Sequence, residues 1–254
     1  LTGCATSSSL KEKLTNEQFD SPKVEKSKFF EKNKLPPPVG GPITVAVYGF
    51  ADKTGQRKYS SSVASLSSAV TQGAEAYLIK GLQDVGEQKW FTVLERSGLE
   101  NLVKERQMIR QMRMEYQGRD AKQLPPMLFA GILLEGGIIG YDSNTLTGGT
   151  GARIFGIGAS TSYQSDTVTI SLRTVSVTTG EILTSVTITK TVLSYMDKLG
   201  VLRFMSADTK AIEAEVGGSI NESINRATNK AIQAAVVETI KEGARKGYWS
   251  FKDN

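Results

Sequence analysis

The chain has 254 residues, with 31 Lys and Arg against 26 Asp and Glu, for a formal charge of +5. Hydrophobic residues make up 39% and charged residues 22%, enough to build a buried core, and the positive excess is too mild to imply nucleic-acid binding. The absence of His and the single Cys exclude Ser-His-Asp and Cys-His catalysis, His or thiolate metal sites, internal disulfides and CxxC redox pairs.

That cysteine is Cys4, preceded by Leu1-Thr2-Gly3. Leu, a small residue, Gly and then Cys resembles the lipobox of bacterial lipoproteins. On that basis residues 1–3 are a signal-peptide remnant and Cys4 is a lipidated mature N-terminus. Its thiol carries diacylglycerol through a thioether, and acyl chains anchor at roughly 0.8 kcal/mol per buried CH₂. Ala5 and Thr6 follow instead of Asp, the usual inner-membrane retention signal, which favours the outer membrane. Residues 4–41 read as a lipidated tether, rich in Lys and closed by the stiff run Pro36-Pro37-Pro38.

Residues 42–254 carry the periodicity of an α/β (α+β) domain. Ile43–Phe50 is apolar on nearly both faces and predicts a central strand. After a polar loop, Val63, Leu66, Val70, Ala74, Tyr77, Leu78, Leu82 and Val85 recur at helical steps. Trp90–Leu94 predicts a second buried strand. Ser97 and Glu100 have capping-box spacing and open a helix. Its Leu99, Leu102, Val103 and Ile109 are expected inward; Lys104, Arg106, Arg110 and Arg113 are expected on a mostly solvated face. Met127–Tyr141 predicts a long strand, since Glu135 and several glycines interrupt it, and no run of about 20 apolar residues occurs anywhere. Val168, Ile170 and Leu172 alternate with polar residues, Thr179-Gly180-Glu181 turns, and Val186 and Ile188 return as a hairpin. A closing helix is predicted from about Ser219 to Gly247.

Two glycine-rich stretches, 145–164 and 195–217, do not fit this domain. A phosphate cradle at Gly148–Gly158 is weakly supported, because no Gly-Lys-Ser/Thr follows and no helix opens there. A surface hairpin is the plain alternative. The third is a pair of transmembrane β-hairpins at about 145–165 and 195–219, each long enough for two tilted strands of about 9–11 residues. Four such strands leave open edges, which hydrocarbon does not tolerate, so that alternative requires a closed ring of subunits.

The segments DKTGQ (52–56), VLERSGLENLVKER (93–106), LLEGGIIGYDSN (133–144), GGTGARIFGIGASTSYQSD (148–166), TGEILTSV (179–186), KTVLSY (190–195), GVLRF (200–204) and AEVG (214–217) together resemble the outer-membrane curli secretion channel lipoprotein family. The resemblance runs in order from about residue 42 to about 250. It implies a nonameric ring of identical subunits, each giving two hairpins to one shared barrel, four strands from each of nine copies or about 36 in all. The rest of each subunit forms a periplasmic α/β vestibule. A loop after the first strand narrows the pore with a Tyr and, a few residues on, an Asn-Phe pair. Here Ser65-Leu66 stand at the pair, and Tyr59 matches the Tyr after a shift of one or two residues. Ser65 is shorter than Asn and Leu66 has no aromatic face, so the constriction departs from the family pattern.

The implied function is an ATP-independent outer-membrane channel, not an enzyme, that passes unfolded curli-type amyloid subunits from periplasm to cell surface. Implied partners are a periplasmic capping factor, a surface-exposed nucleation-coupling factor and outer-membrane lipid, with no cofactor, metal or nucleic acid. The alternative is a non-pore outer-membrane lipoprotein that scaffolds periplasmic assembly. A hydrolase built on a buried carboxylate pair comes third.

Overall fold

The computed structural model describes residues 27–55, 71–147, 162–196, 202–208, 211–216 and 220–252. β1 (Ile43–Asp52) is central, and its Val45, Ala46 and Val47 are buried on both faces. β2 (Phe91–Leu94) and β3 (Ile132–Thr147) flank it, both parallel to it. β4 (Ser162–Ser176), β5 (Ile182–Met196), β6 (Leu202–Asp208) and β7 (Ala211–Val216) then add on antiparallel. Among the described residues the result is one open seven-stranded sheet in the order β2-β1-β3-β4-β5-β6-β7. The α/β class expected from the periodicity is present.

Among the described residues four α-helices accompany the sheet: α1 (Lys28–Lys32), α2 (Ala74–Asp84), α3 (Leu99–Gln117) and α4 (Ile220–Arg245). α2 turns Leu78 and Leu82 inward, and α4 turns Ala227, Ala231, Ile232, Ala235, Val236 and Ile240 inward. They share one core with Val168, Ile170 and Leu172 of β4. The alanines keep α4 thin on that side, so its axis can lie close to the sheet. Just past the helix, Trp249 stacks so tightly on Gly243 that a Cβ there would stand 2.0 Å from the indole. The hairpin turn also follows the sequence: Gly180, at φ +72°, donates its N–H to Ser176 O at 2.8 Å.

α3 departs from expectation. No capping box forms: its N-cap is Gly98, whose N–H binds the Glu95 carboxylate at 2.6 Å, while the Ser97 hydroxyl donates to Glu75. None of its side chains is buried; Leu99, Leu102 and Ile109 are half-covered, and Val103 is exposed. Arg106 and Arg113, expected on the solvated face, fold back and donate to Pro125 O and Lys122 O, each at 2.6 Å. The physical reason is position. α3 leaves the short edge strand β2, and it lies under the irregular segment 121–130 instead of the sheet. That segment also explains why the predicted strand Met127–Tyr141 starts only at Ile132, although it continues to Thr147.

The described part of the expected tether is fastened to the body from Ser27 onward. Ser27 Oγ donates to Gln233 Oε1 at 2.8 Å, and Phe30 is buried. Trp90 Nε1 donates to Pro36 O at 2.8 Å. Val39 N–H binds Ser250 O at 2.9 Å, and Lys252 N–H binds Pro37 O at 2.8 Å.

Candidate functional site

Cys4, Tyr59, Ser65 and Leu66 all lie outside the described residues, as does the glycine run 148–158. What is described is the base from which each candidate region springs.

The base of the loop carrying Tyr59, Ser65 and Leu66 is held by one carboxylate. β1 ends at Asp52, whose Oδ1 accepts from Thr54 N at 2.9 Å and from Thr54 Oγ1 at 2.7 Å. Asp52 Oδ2 accepts from Gln72 Nε2 at 3.3 Å, on the far side of the loop. Thr71 Oγ1 then accepts from Gly73 N at 3.1 Å, where the chain enters α2. Lys53 N–H binds Ile138 O at 2.9 Å, tying the exit of β1 to β3. The loop therefore leaves and returns at one point beside the end of β1. The Asp-x-Thr spacing at the end of an apolar strand is the sequence signal for this turn.

At the first hairpin, β3 and β4 stay paired past the helix-covered core, through Thr145↔Gln164, Leu146↔Tyr163 and Thr147↔Ser162. The second region contains the antiparallel pair β6–β7, from Arg203↔Val216 to Asp208↔Ala211. Among the described residues the seven strands form an open sheet with β2 and β7 at its edges, not a closed barrel.

Where β3 and β4 pass the core, they carry a polar cluster that the residue-by-residue reading of the chain did not single out. Asp166 is fully buried. Its Oδ1 accepts from Ser143 Oγ at 2.7 Å, Gln164 Nε2 at 2.9 Å and Tyr141 Oη at 3.2 Å. Gln164 Nε2 also donates to Ser143 Oγ at 3.1 Å. Asp166 Oδ2 is buried without a hydrogen-bond partner. Burial raises the Tyr141 phenol above its ordinary value of 10.0, and the neighbouring Asp166 charge adds to that. The signal was in the sequence: the core row 168, 170, 172 runs back two places to Asp166.

The described residues hold no group of three or more His, Cys, Asp or Glu arranged to bind a metal ion. No described helix is long and apolar enough to cross a membrane.

The family profile "Curli production assembly/transport component CsgG" matches residues 25–254. The chain belongs to this family. It is 41% identical over 222 residues to the curli production assembly/transport component CsgG of Escherichia coli K12, covering 86% of this chain and 78% of that protein. The Salmonella typhimurium LT2 protein of the same name matches at the same identity and coverage. Both are named as assembly and transport components. Among solved structures, protein XCC0632 from Xanthomonas campestris is similar at TM-score 0.38 and 11% identity, covering 85% of this chain and 95% of that one. The PelC dodecamer from Paraburkholderia phytofirmans is similar at TM-score 0.34 and 12% identity, covering 80% and 93%.

Proposed function

We propose that this chain is the subunit of an outer-membrane channel that passes unfolded curli-type subunits from periplasm to cell surface. The observation that carries the proposal is the continuation of β3 and β4 as a paired ladder beyond the core, in a chain of the curli assembly/transport family. In this reading the segments at about 145–165 and 195–219 cross the membrane as hairpins. Copies of the chain, nine by the family resemblance, close them into one barrel, which removes the unpaired edges that lipid does not tolerate. Cys4 carries lipid, and the α/β body forms the periplasmic vestibule.

In this reading the loop whose base Asp52 holds is the one that narrows the ring, through Tyr59, Ser65 and Leu66. A narrow ring of hydroxyls suits an extended peptide, because it exchanges hydrogen bonds with any backbone and selects no one sequence. Folded cargo is excluded by width. Transport needs no ATP: a chain confined under a periplasmic cap regains conformational entropy as it leaves, at about 1–2 kcal/mol per residue freed.

Purified protein in planar bilayers tests this directly. The expected result is a large, steady conductance from detergent-resistant rings; absence of both removes the pore and leaves a non-pore lipoprotein scaffold. Tyr59→Ala is expected to raise the conductance. An unchanged conductance would move the constriction to other residues of the loop.

A further inference from the structure

We propose that the buried carboxylate of Asp166 is a positioning residue that fixes the register in which β3 and β4 leave the α/β body. This deepens the channel reading, since those strands are the ones it sends into the membrane.

Apolar patterning alone does not set this register. On β4 the core row is Asp166, Val168, Ile170, Leu172 and Thr174, every second residue, all nearly or fully buried. On β3 the core row is Leu134 and Ile138 up to a bulge between Ile138 and Gly140, and Tyr141 after it. The bulge shifts the row from even to odd numbers and leaves Ile139 about half exposed. A slip of one residue beyond the bulge would turn Tyr141 and Ser143 to the other face, so burial excludes it. A slip of two keeps each residue on its own face and preserves the alternation. The alternation alone does not exclude it.

The polar cluster does exclude it. In the observed register Ser143 stands directly opposite Asp166, and Tyr141 lies on the diagonal opposite Val168. A slip of two sets Asp166 against Tyr141 or Thr145 and carries Ser143 from the directly opposed place to a diagonal one, so the Ser143, Gln164 and Tyr141 donors no longer meet on one carboxylate oxygen. A buried carboxylate whose donors are displaced is unfavourable, so the slipped states are disfavoured. The same cluster is poorly built for stability. All three donors converge on Oδ1, while Oδ2 has no hydrogen-bond partner. That combination suits a group which selects one arrangement among near-equals more than one which adds stability.

The test reads the register chemically in the full-length protein. The Asn144→Cys/Ser165→Cys pair is directly opposed, and the Asn144→Cys/Thr167→Cys pair becomes opposed only after a slip of two. Opposed Cβ atoms lie about 4.5–5.5 Å apart and diagonal ones farther, so oxidation is expected to favour the 144/165 disulfide by about tenfold or more while Asp166 is present. Cross-links are located by mass spectrometry of the digested protein, so Cys4 stays in place.

With Asp166→Leu that preference is expected to fall below about threefold, with the melting temperature unchanged or raised. Asp166→Asn keeps an acceptor oxygen and is expected to retain the native preference. A native preference in Asp166→Leu overturns the proposal whatever happens to the melting temperature. Equal losses in the Asn and Leu variants overturn it too. If the Leu variant does not fold, Asp166→Thr, too short to reach the Tyr141 hydroxyl, takes its place under the same criterion. Failure of the wild-type protein to conduct in bilayers would remove the pore but leave this register result standing.

Discussion

On the core face of β4 and β5, Val168, Ile170, Leu172, Val186 and Val192 are buried. On the opposite face of the same strands, Thr167 meets Thr191 at 2.9 Å and Thr169 meets Thr189 at 3.0 Å, hydroxyl to hydroxyl and open to water. On that side of the β3–β4 ladder Arg173 pairs with Glu135, at 3.1 Å from Nε. One backbone thus presents an apolar surface and a hydroxyl surface at a period of two. The core face supplies stability through removal of apolar area from water. The hydroxyl face satisfies itself strand to strand.

Substitutions at matched depth along the ladder break or sharpen this contrast. The largest effect is expected for Ile170→Ala on the core face, a loss of about 2–5 kcal/mol read from urea midpoints. A loss below about 1 kcal/mol would mean that this part of the core can collapse around the gap. An intermediate effect belongs to Tyr141, at the polar end of the core row. Burial holds its phenol above 10.0, so the folded state favours the neutral form. The stability tied to it is intact below pH 10 and declines as pH rises past that value. Tyr141→Phe is therefore expected to lose less stability between pH 9 and pH 11 than the parent chain, measured by denaturant midpoints at each pH. The smallest effect is expected for the paired change Thr169→Val with Thr189→Val, within about 0.5 kcal/mol either way. A large loss there would show that the hydroxyl face bears on stability after all.

How much of this was legible in the sequence follows from the same periodicities. Alternation at 168, 170 and 172 located β4, and the helical recurrence of Ile224, Ala227, Ala231 and Ile240 located α4, because both faces meet a continuous apolar neighbour. α3 was legible as a helix but not in its orientation. Its apolar residues are scattered around the axis, and its cover is a loop held by two arginines, which no period announces. Asp166 carries no apolar signal, so only its two-residue spacing from Val168 marks its place in the core row. The expectation for Tyr59, Ser65 and Leu66 rests on family resemblance alone, since a loop that would narrow a ring does so by its place in an assembly and leaves no periodic trace in the sequence.

The fastening of the N-terminal segment has a mechanical consequence. Pro37 and Val39 bond to Lys252 and Ser250 near the other end of the chain, and Pro36 bonds to Trp90, whose ring packs on Phe251 at 5.6 Å. A pull on the chain from the N-terminal side of Ser27 would be met first by Phe30 and α1, and then by this clasp. The clasp divides the load between a core tryptophan and the C-terminal segment. The loop base at Asp52 lies beyond both along the chain, so such a pull would open the fastening before it reached Asp52.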